Sequence, residues 1–295
     1  MSKLVRRSAV LAFASLAAAA GTLMAPTAAQ AQPVTSGSFT MTGDPGDYIS
    51  QGRDWSYEVA RGDRLTVNGS ADRRVITVSI DGANGDWWYA DFSAPAGAAI
   101  AAGTYAGATR YPFNGQGPGL SISGDGRGCN ELTGTFVVDE VSFGPEGYLE
   151  DFDATFEQHC EGGEPAARGR VVIHNAPAPE QLTLSVTPAS DGTFSRLNGA
   201  ATVHGTVACS ADVPVRINGD VTQVKRKTII RGTFSASVDC KKNAEIPWSA
   251  TATPTGTTPF QLGRAEVNTT ATATDPAYGT TVTDKVTTTV SLTRG

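Results

Sequence analysis

Between Leu149 and Cys160 the side chains alternate in character along the chain. Phe152, Ala154, Phe156, Gln158 and Cys160 fall on one side of an extended backbone, and Asp151, Asp153, Thr155, Glu157 and His159 fall on the other. A period of two sends the first set to a core and turns the acidic set toward water, which is the pattern of a half-buried strand. Shorter runs repeat it at Trp55-Ser-Tyr-Glu-Val59, Arg74-Val-Ile-Thr-Val-Ser-Ile80 and Thr133-Gly-Thr-Phe-Val-Val138, with Gly, Asp and Asn punctuating the intervals. No window sustains a helical period. The expected class is all-β, built as antiparallel β-sandwiches.

The pattern breaks at His174-Asn-Ala-Pro-Ala-Pro179, where two prolines withhold hydrogen-bond donors and favour extended chain. Two domains are expected: 32-176, jelly-roll-like, and 182-295, immunoglobulin-like, with 177-181 as a linker. The second half reads as seven strands near 182-187, 199-209, 213-223, 228-240, 245-253, 260-273 and 280-293. Its inward candidates include Val203, Val207 and Cys209; Val215, Ile217 and Val221; Ile230, Phe234, Val238 and Cys240; and Val282, Val286, Val290 and Leu292. Seven strands in about a hundred residues suit an immunoglobulin-like sandwich, although Trp248 follows the second cysteine of this half, unlike the antibody arrangement.

Charge divides the chain at the same place. From Gln32 to Pro179 there are 20 acidic residues against 9 arginines and no lysine; from Glu180 onward there are 9 acids against 11 bases. An acidic first half disfavours nucleic acid, whose phosphates it would repel.

The N-terminus carries Lys3, Arg6 and Arg7, then an apolar run from Ala9 to Ala25, then Ala29-Gln-Ala31. That is a secretory signal pattern, with cleavage expected after Ala31. Arg6-Arg7 raises the twin-arginine route, but the residues after it suit the general secretory route better. Cleavage takes the net charge from −6 to −9 by removing those three bases. Neither a cysteine after the apolar run nor a hydrophobic C-terminal tail offers an anchor, so the expectation is a secreted product with no membrane attachment. Export also explains four cysteines split two and two: Cys129 and Cys160, Cys209 and Cys240. Their wide spacing suits disulfides and not zinc, and each bridge would contribute on the order of 3 kcal/mol.

Two resemblances can be stated. Gly103-Thr-Tyr-Ala-Gly-Ala-Thr-Arg110, Gly126-Arg-Gly-Cys-Asn130 and Phe156-Glu-Gln-His-Cys-Glu-Gly162 together resemble an uncharacterised module of secreted bacterial proteins. The second half, with Val203-His-Gly-Thr-Val-Ala-Cys209, Pro247-Trp248 and Phe260-Gln-Leu-Gly-Arg-Ala265, is similar to an immunoglobulin-like module of secreted proteins from high-GC Gram-positive bacteria. Relatives often carry another cysteine pair around the last turn, which Asp275-Pro-Ala-Tyr-Gly279 lacks. These resemblances imply fold and location; they bring no activity and no catalytic residue.

Candidate sites are few. Glu157, His159 and Glu161 would share a strand face, but three such positions spread over about 13 Å and cannot converge on a metal or a proton transfer without neighbours, so a solvated face is the preferred reading. Asp81-Gly-Ala-Asn-Gly-Asp86 could offer oxygens to Ca²⁺ but suits a hairpin turn better. Gly124-Asp-Gly-Arg-Gly128 has no following helix and is not a phosphate cradle. Lys225-Arg-Lys227 is read as a solvated hairpin tip, with contact to anionic wall polymer as the alternative. There is no G-x-S-x-G and no H-E-x-x-H. Neither catalysis nor a cofactor is expected.

The aromatics carry the most information. Trp87-Trp88-Tyr89 cannot all face inward on a strand, so at least one ring stands outside the core or under the segment from Ala94 to Gly119. An exposed ring can stack on a sugar. The expected function is extracellular recognition of a glycan or a protein at the cell envelope through these three residues; the alternatives are a spacer that binds nothing, or an enzyme using first-half carboxylates.

Overall fold

A computed structural model describes residues 31–295, so the expected signal peptide lies outside the described residues except for Ala31. The chain is all-β. Its first half forms β1 (Gln32–Pro33), β2 (Ser36–Gly43), β3 (Trp55–Glu58), β4 (Arg64–Gly69), β5 (Val75–Asp81), β6 (Trp87–Ser93), β7 (Gly103–Arg110), β8 (Gly119–Gly124), β9 (Leu132–Phe143), β10 (Leu149–Cys160) and β11 (Ala166–His174). These hydrogen-bond as one eleven-stranded sheet in the order β1-β4-β5-β6-β8-β7-β9-β10-β11-β2-β3. Neighbours are antiparallel except β7 and β8, which meet in parallel at Thr109 and Arg110.

The sheet curls back over its own core. Phe92 of β6 packs edge-on against Phe152 of β10, with ring centroids 5.2 Å apart, although three strands separate β6 from β10 in the hydrogen-bonded order. Phe39, Trp88, Phe92, Phe136 and Phe152 are all fully buried, each ring contributing about 1.5–3 kcal/mol of burial. The result is sandwich-like. Where a jelly roll divides its strands between two sheets, here one continuous sheet supplies both layers.

On β10 the inward alternation holds through Gln158. Its acidic face is less open than the sequence implies. Asp153 binds Arg170 in a two-pronged ion pair and Glu157 binds Arg168, both arginines coming from β11. Cross-strand guanidinium groups thus neutralise an acidic strand that solvent alone would have to stabilise.

The second half forms β12 (Leu184–Phe194), β13 (Ala201–Cys209), β14 (Val213–Lys225), β15 (Thr228–Cys240), β16 (Glu245–Pro254), β17 (Gly263–Thr274) and β18 (Thr281–Arg294). They close in the order β12-β13-β16-β15-β14-β17-β18, with β12 returning in parallel to β18. All seven expected strands are present. β12 runs further than expected: it bulges between Pro188 and Gly192, then resumes pairing with β13 in a shifted register while also pairing with β18, to Phe194. Val203, Val207, Val215, Ile217, Val221, Ile230, Phe234, Val290 and Leu292 are buried as their alternation requires.

Closure is uneven. β15 and β16 pair only at Gly232 with Pro254 and Thr233 with Thr253, although they stay side by side beyond those pairs. The Cys209–Cys240 disulfide joins the end of β13 to the end of β15, and Cys129–Cys160 joins the loop before β9 to the end of β10. Both pairings match the expectation. Two disulfides fit an oxidising, extracellular environment, and among the described residues no helix is long and apolar enough to cross a membrane.

Candidate functional site

β6 sits inside the sheet, between β5 and β8, and its facing is decided from below. Trp88 is fully buried; its Nε1 donates to the Tyr57 hydroxyl at 2.9 Å, and that hydroxyl donates to Asp86 at 2.9 Å. Burial beside Asp86 pushes the Tyr57 hydroxyl well above its usual pKa, so it stays a donor. The Arg127 guanidinium lies over Trp88 and Trp55, 5.2 and 5.6 Å from their rings, and its Nε donates to the Ile49 carbonyl. Gly124 is opposite Trp88 on β8, where a Cβ would come within 2.5 Å of the indole; glycine therefore makes room for the ring.

With Trp88 locked inward, Trp87 and Tyr89 must point out. They are 41% and 45% exposed, their ring centroids are 5.7 Å apart, and their planes cross at 62°. Of the three aromatic candidates, Trp88 does not belong to a contact surface: it is core, and no ligand reaches it. Trp87 is steadied by Asp125, whose Oδ1 accepts from Trp87 N and whose N donates to Trp87 O, both at 3.1 Å.

Around these rings the outward positions of three neighbouring strands are small and polar. Ser79 on β5 and Ser123 on β8 flank Tyr89, and Asp81 flanks Trp87. One row further, Asp91 stands beside Thr77 and Ser121, and Thr77 donates to it at 2.7 Å. Burial raises the Asp91 carboxyl above the usual carboxylate range. The face is thus two crossed aromatic rings among hydroxyls and carboxylates, on a rigid sheet interior. Such a face can stack on an apolar sugar face and accept hydrogen bonds from its hydroxyls.

The other candidates resolve differently. Glu157 and His159 do meet, at 3.2 Å, but on an open strand face where Glu157 is already held by Arg168, which also binds Asp44 at 2.9 Å. Arg168 draws both carboxyls below their usual range, the opposite of what a proton acceptor near neutral pH needs. Glu161 lies beyond the strand in a left-handed turn conformation and accepts from Asn130 N at 2.6 Å, so it does not join them. Asp81 to Asp86 forms the β5–β6 hairpin turn, closed by Gly82 N to Asp86 O at 2.8 Å. Among the described residues, no group of three or more His, Cys, Asp or Glu side chains is placed to hold a metal ion.

No known protein family matches the chain, and no curated protein matches it in sequence.

Proposed function

We propose that the chain is an exported, non-catalytic recognition protein that binds a glycan through Trp87 and Tyr89. The carrying observation is that two large rings stand out of a rigid sheet because Trp88, between them, is locked in. Their crossing angle gives an angled notch and not a flat strip, which suits a single sugar ring or a chain end better than an extended polysaccharide surface. Asp81 is paired with Arg64 and Asp125 with Arg127, so it is the net acidity of this half that favours a neutral or amino sugar over a uronic or sialic acid.

The finer expectations support this setting. The N-terminal signal pattern supports export with cleavage after Ala31, and 32-176 and 182-295 are read as two domains joined by 177-181. The pairings β13–β16, β14–β17 and β17–β18 support the immunoglobulin-like reading of the second.

A glycan array probed with the mature chain tests the proposal. Trp87→Ala and Tyr89→Ala should each weaken binding about three- to tenfold, the worth of an aromatic contact of about 0.5–1.5 kcal/mol, with an unchanged melting temperature. Absence of any glycan bound above background, or binding indifferent to both substitutions, would leave the spacer reading in its place.

A further inference from the structure

The second sheet is polarised along its strands. Three connections gather at one end: 195-200 between β12 and β13, the β14–β15 hairpin tip, and 255-262 between β16 and β17. They touch: Phe260 N donates to the Gly199 carbonyl at 3.0 Å, and Lys225 Nζ donates to the Leu262 carbonyl. Gln223 of β14 donates to the Gln261 carbonyl at 2.8 Å, tying the hairpin to the third connection.

This end is predominantly basic, with Glu266, two positions from Arg264 on the same exposed face of β17, as a nearby acid. Arg196, Lys225, Arg226, Lys227, Arg231 and Arg264 lie in or beside the three connections, which contain no Asp or Glu. Among the described residues none of the six makes an ion pair with an acid. At the opposite end the connections carry two acids, Asp212 and Asp275, against two bases, Lys241 and Lys242, and Lys241 is paired with Asp212 at 3.1 Å.

The same basic end exposes aliphatic side chains that a solvated tip has no use for. Leu197 is 100% exposed, Val224 63%, Ile229 56% and Leu262 63%. Val224 and Ile229 are cross-strand partners flanking the Lys225-Arg226-Lys227 tip, so apolar and cationic groups share one surface.

We propose that this end of the second sheet docks on a bilayer containing acidic phospholipid, its lysines and arginines engaging headgroup phosphates and its four aliphatic side chains entering the interface. Basic residues alone would suit any polyanion. The aliphatic side chains gain only where apolar material lies just beneath the phosphates, and that is a bilayer and not a water-soluble polymer. The sequence hides this surface because its four aliphatic residues come from separate segments and no stretch looks like an anchor. The attachment is peripheral and needs none.

Co-sedimentation of the mature chain with equimolar phosphatidylglycerol and phosphatidylcholine vesicles tests it, with pure phosphatidylcholine as control. Binding is expected to the acidic vesicles only and to fall with rising salt, since the attraction is screened. Arg226→Glu with Lys227→Glu, and separately Leu197→Ser, Val224→Ser, Ile229→Ser and Leu262→Ser combined, should each weaken it on the order of tenfold or more. All of these positions except Leu197 lie on or beside a strand whose inward residues are untouched, and matching melting curves will show the fold retained. Trp87→Ala should bind vesicles like the parent, which keeps the result separate from glycan recognition. No binding to acidic vesicles overturns the proposal. So does lipid-free poly(glycerol phosphate) capturing the serine variant as well as the parent while vesicles do not distinguish the two.

Discussion

Gln158 points inward from β10, where its Oε1 accepts from Ile122 N and its Nε2 donates to Ile122 O, both at 2.8 Å. Because β7 meets β8 only at Thr109 and Arg110, Ile122 has no strand on that side, and the amide stands in for one. Gln223 treats Gln261 in the same way, accepting from its N at 2.9 Å and donating to its O. Both glutamines are fully buried. Gln158→Leu should cost about 2–4 kcal/mol in denaturant unfolding, because two backbone groups lose their partners inside a core. Gln223→Leu should cost about half as much, since the exposed Gln261 can turn to water. Asp91 makes the opposite prediction. Its native carboxyl holds its proton to a higher pH than in the unfolded chain, so stability falls as pH rises through the interval between the two values. Asp91→Asn should therefore melt above the parent at neutral pH, and the two curves should converge in acid below the ordinary carboxylate range; Asn can still accept from Thr77.

Strands were legible wherever polar and apolar residues alternate, as in β10, β14 and β15, since one water-facing side imposes a period of two. β12 was legible only to Thr187. Pro188-Ala-Ser-Asp-Gly192 has the composition of a turn, and the continuation to Phe194 lies between a shifted register of β13 and a neighbour about a hundred residues away, β18. The candidate site divides in the same way. That Trp87 and Tyr89 share a face opposite to Trp88 follows from strand geometry alone. Which face is the core depends on Tyr57, Arg127 and Gly124, long-range partners that no local pattern contains. For Glu157, the link through Arg168 to Asp44 could not be read from β10, since both partners lie far from it in sequence.

In the whole molecule, two acidic and basic halves each close a separate core and each carry one disulfide. The two bridges are not equivalent in what they protect. Cys129–Cys160 spans neighbouring parts of a continuous sheet, whereas Cys209–Cys240 ties β15 to β13, across the intervening β16 in the strand order. Around the closed run of the second half, the most thinly bonded margin is β15–β16, held by two residue pairs near Gly232, with the covalent tie to β13 at the other end of β15. Reduction should lower global stability by about 3 kcal/mol per bridge, read from denaturant midpoints. It should also let the second half open at the margin before the rest unfolds, seen as early amide exchange in β15 and β16. A margin with so few backbone bonds depends on its covalent neighbour, so thiol status would govern how readily these two strands part.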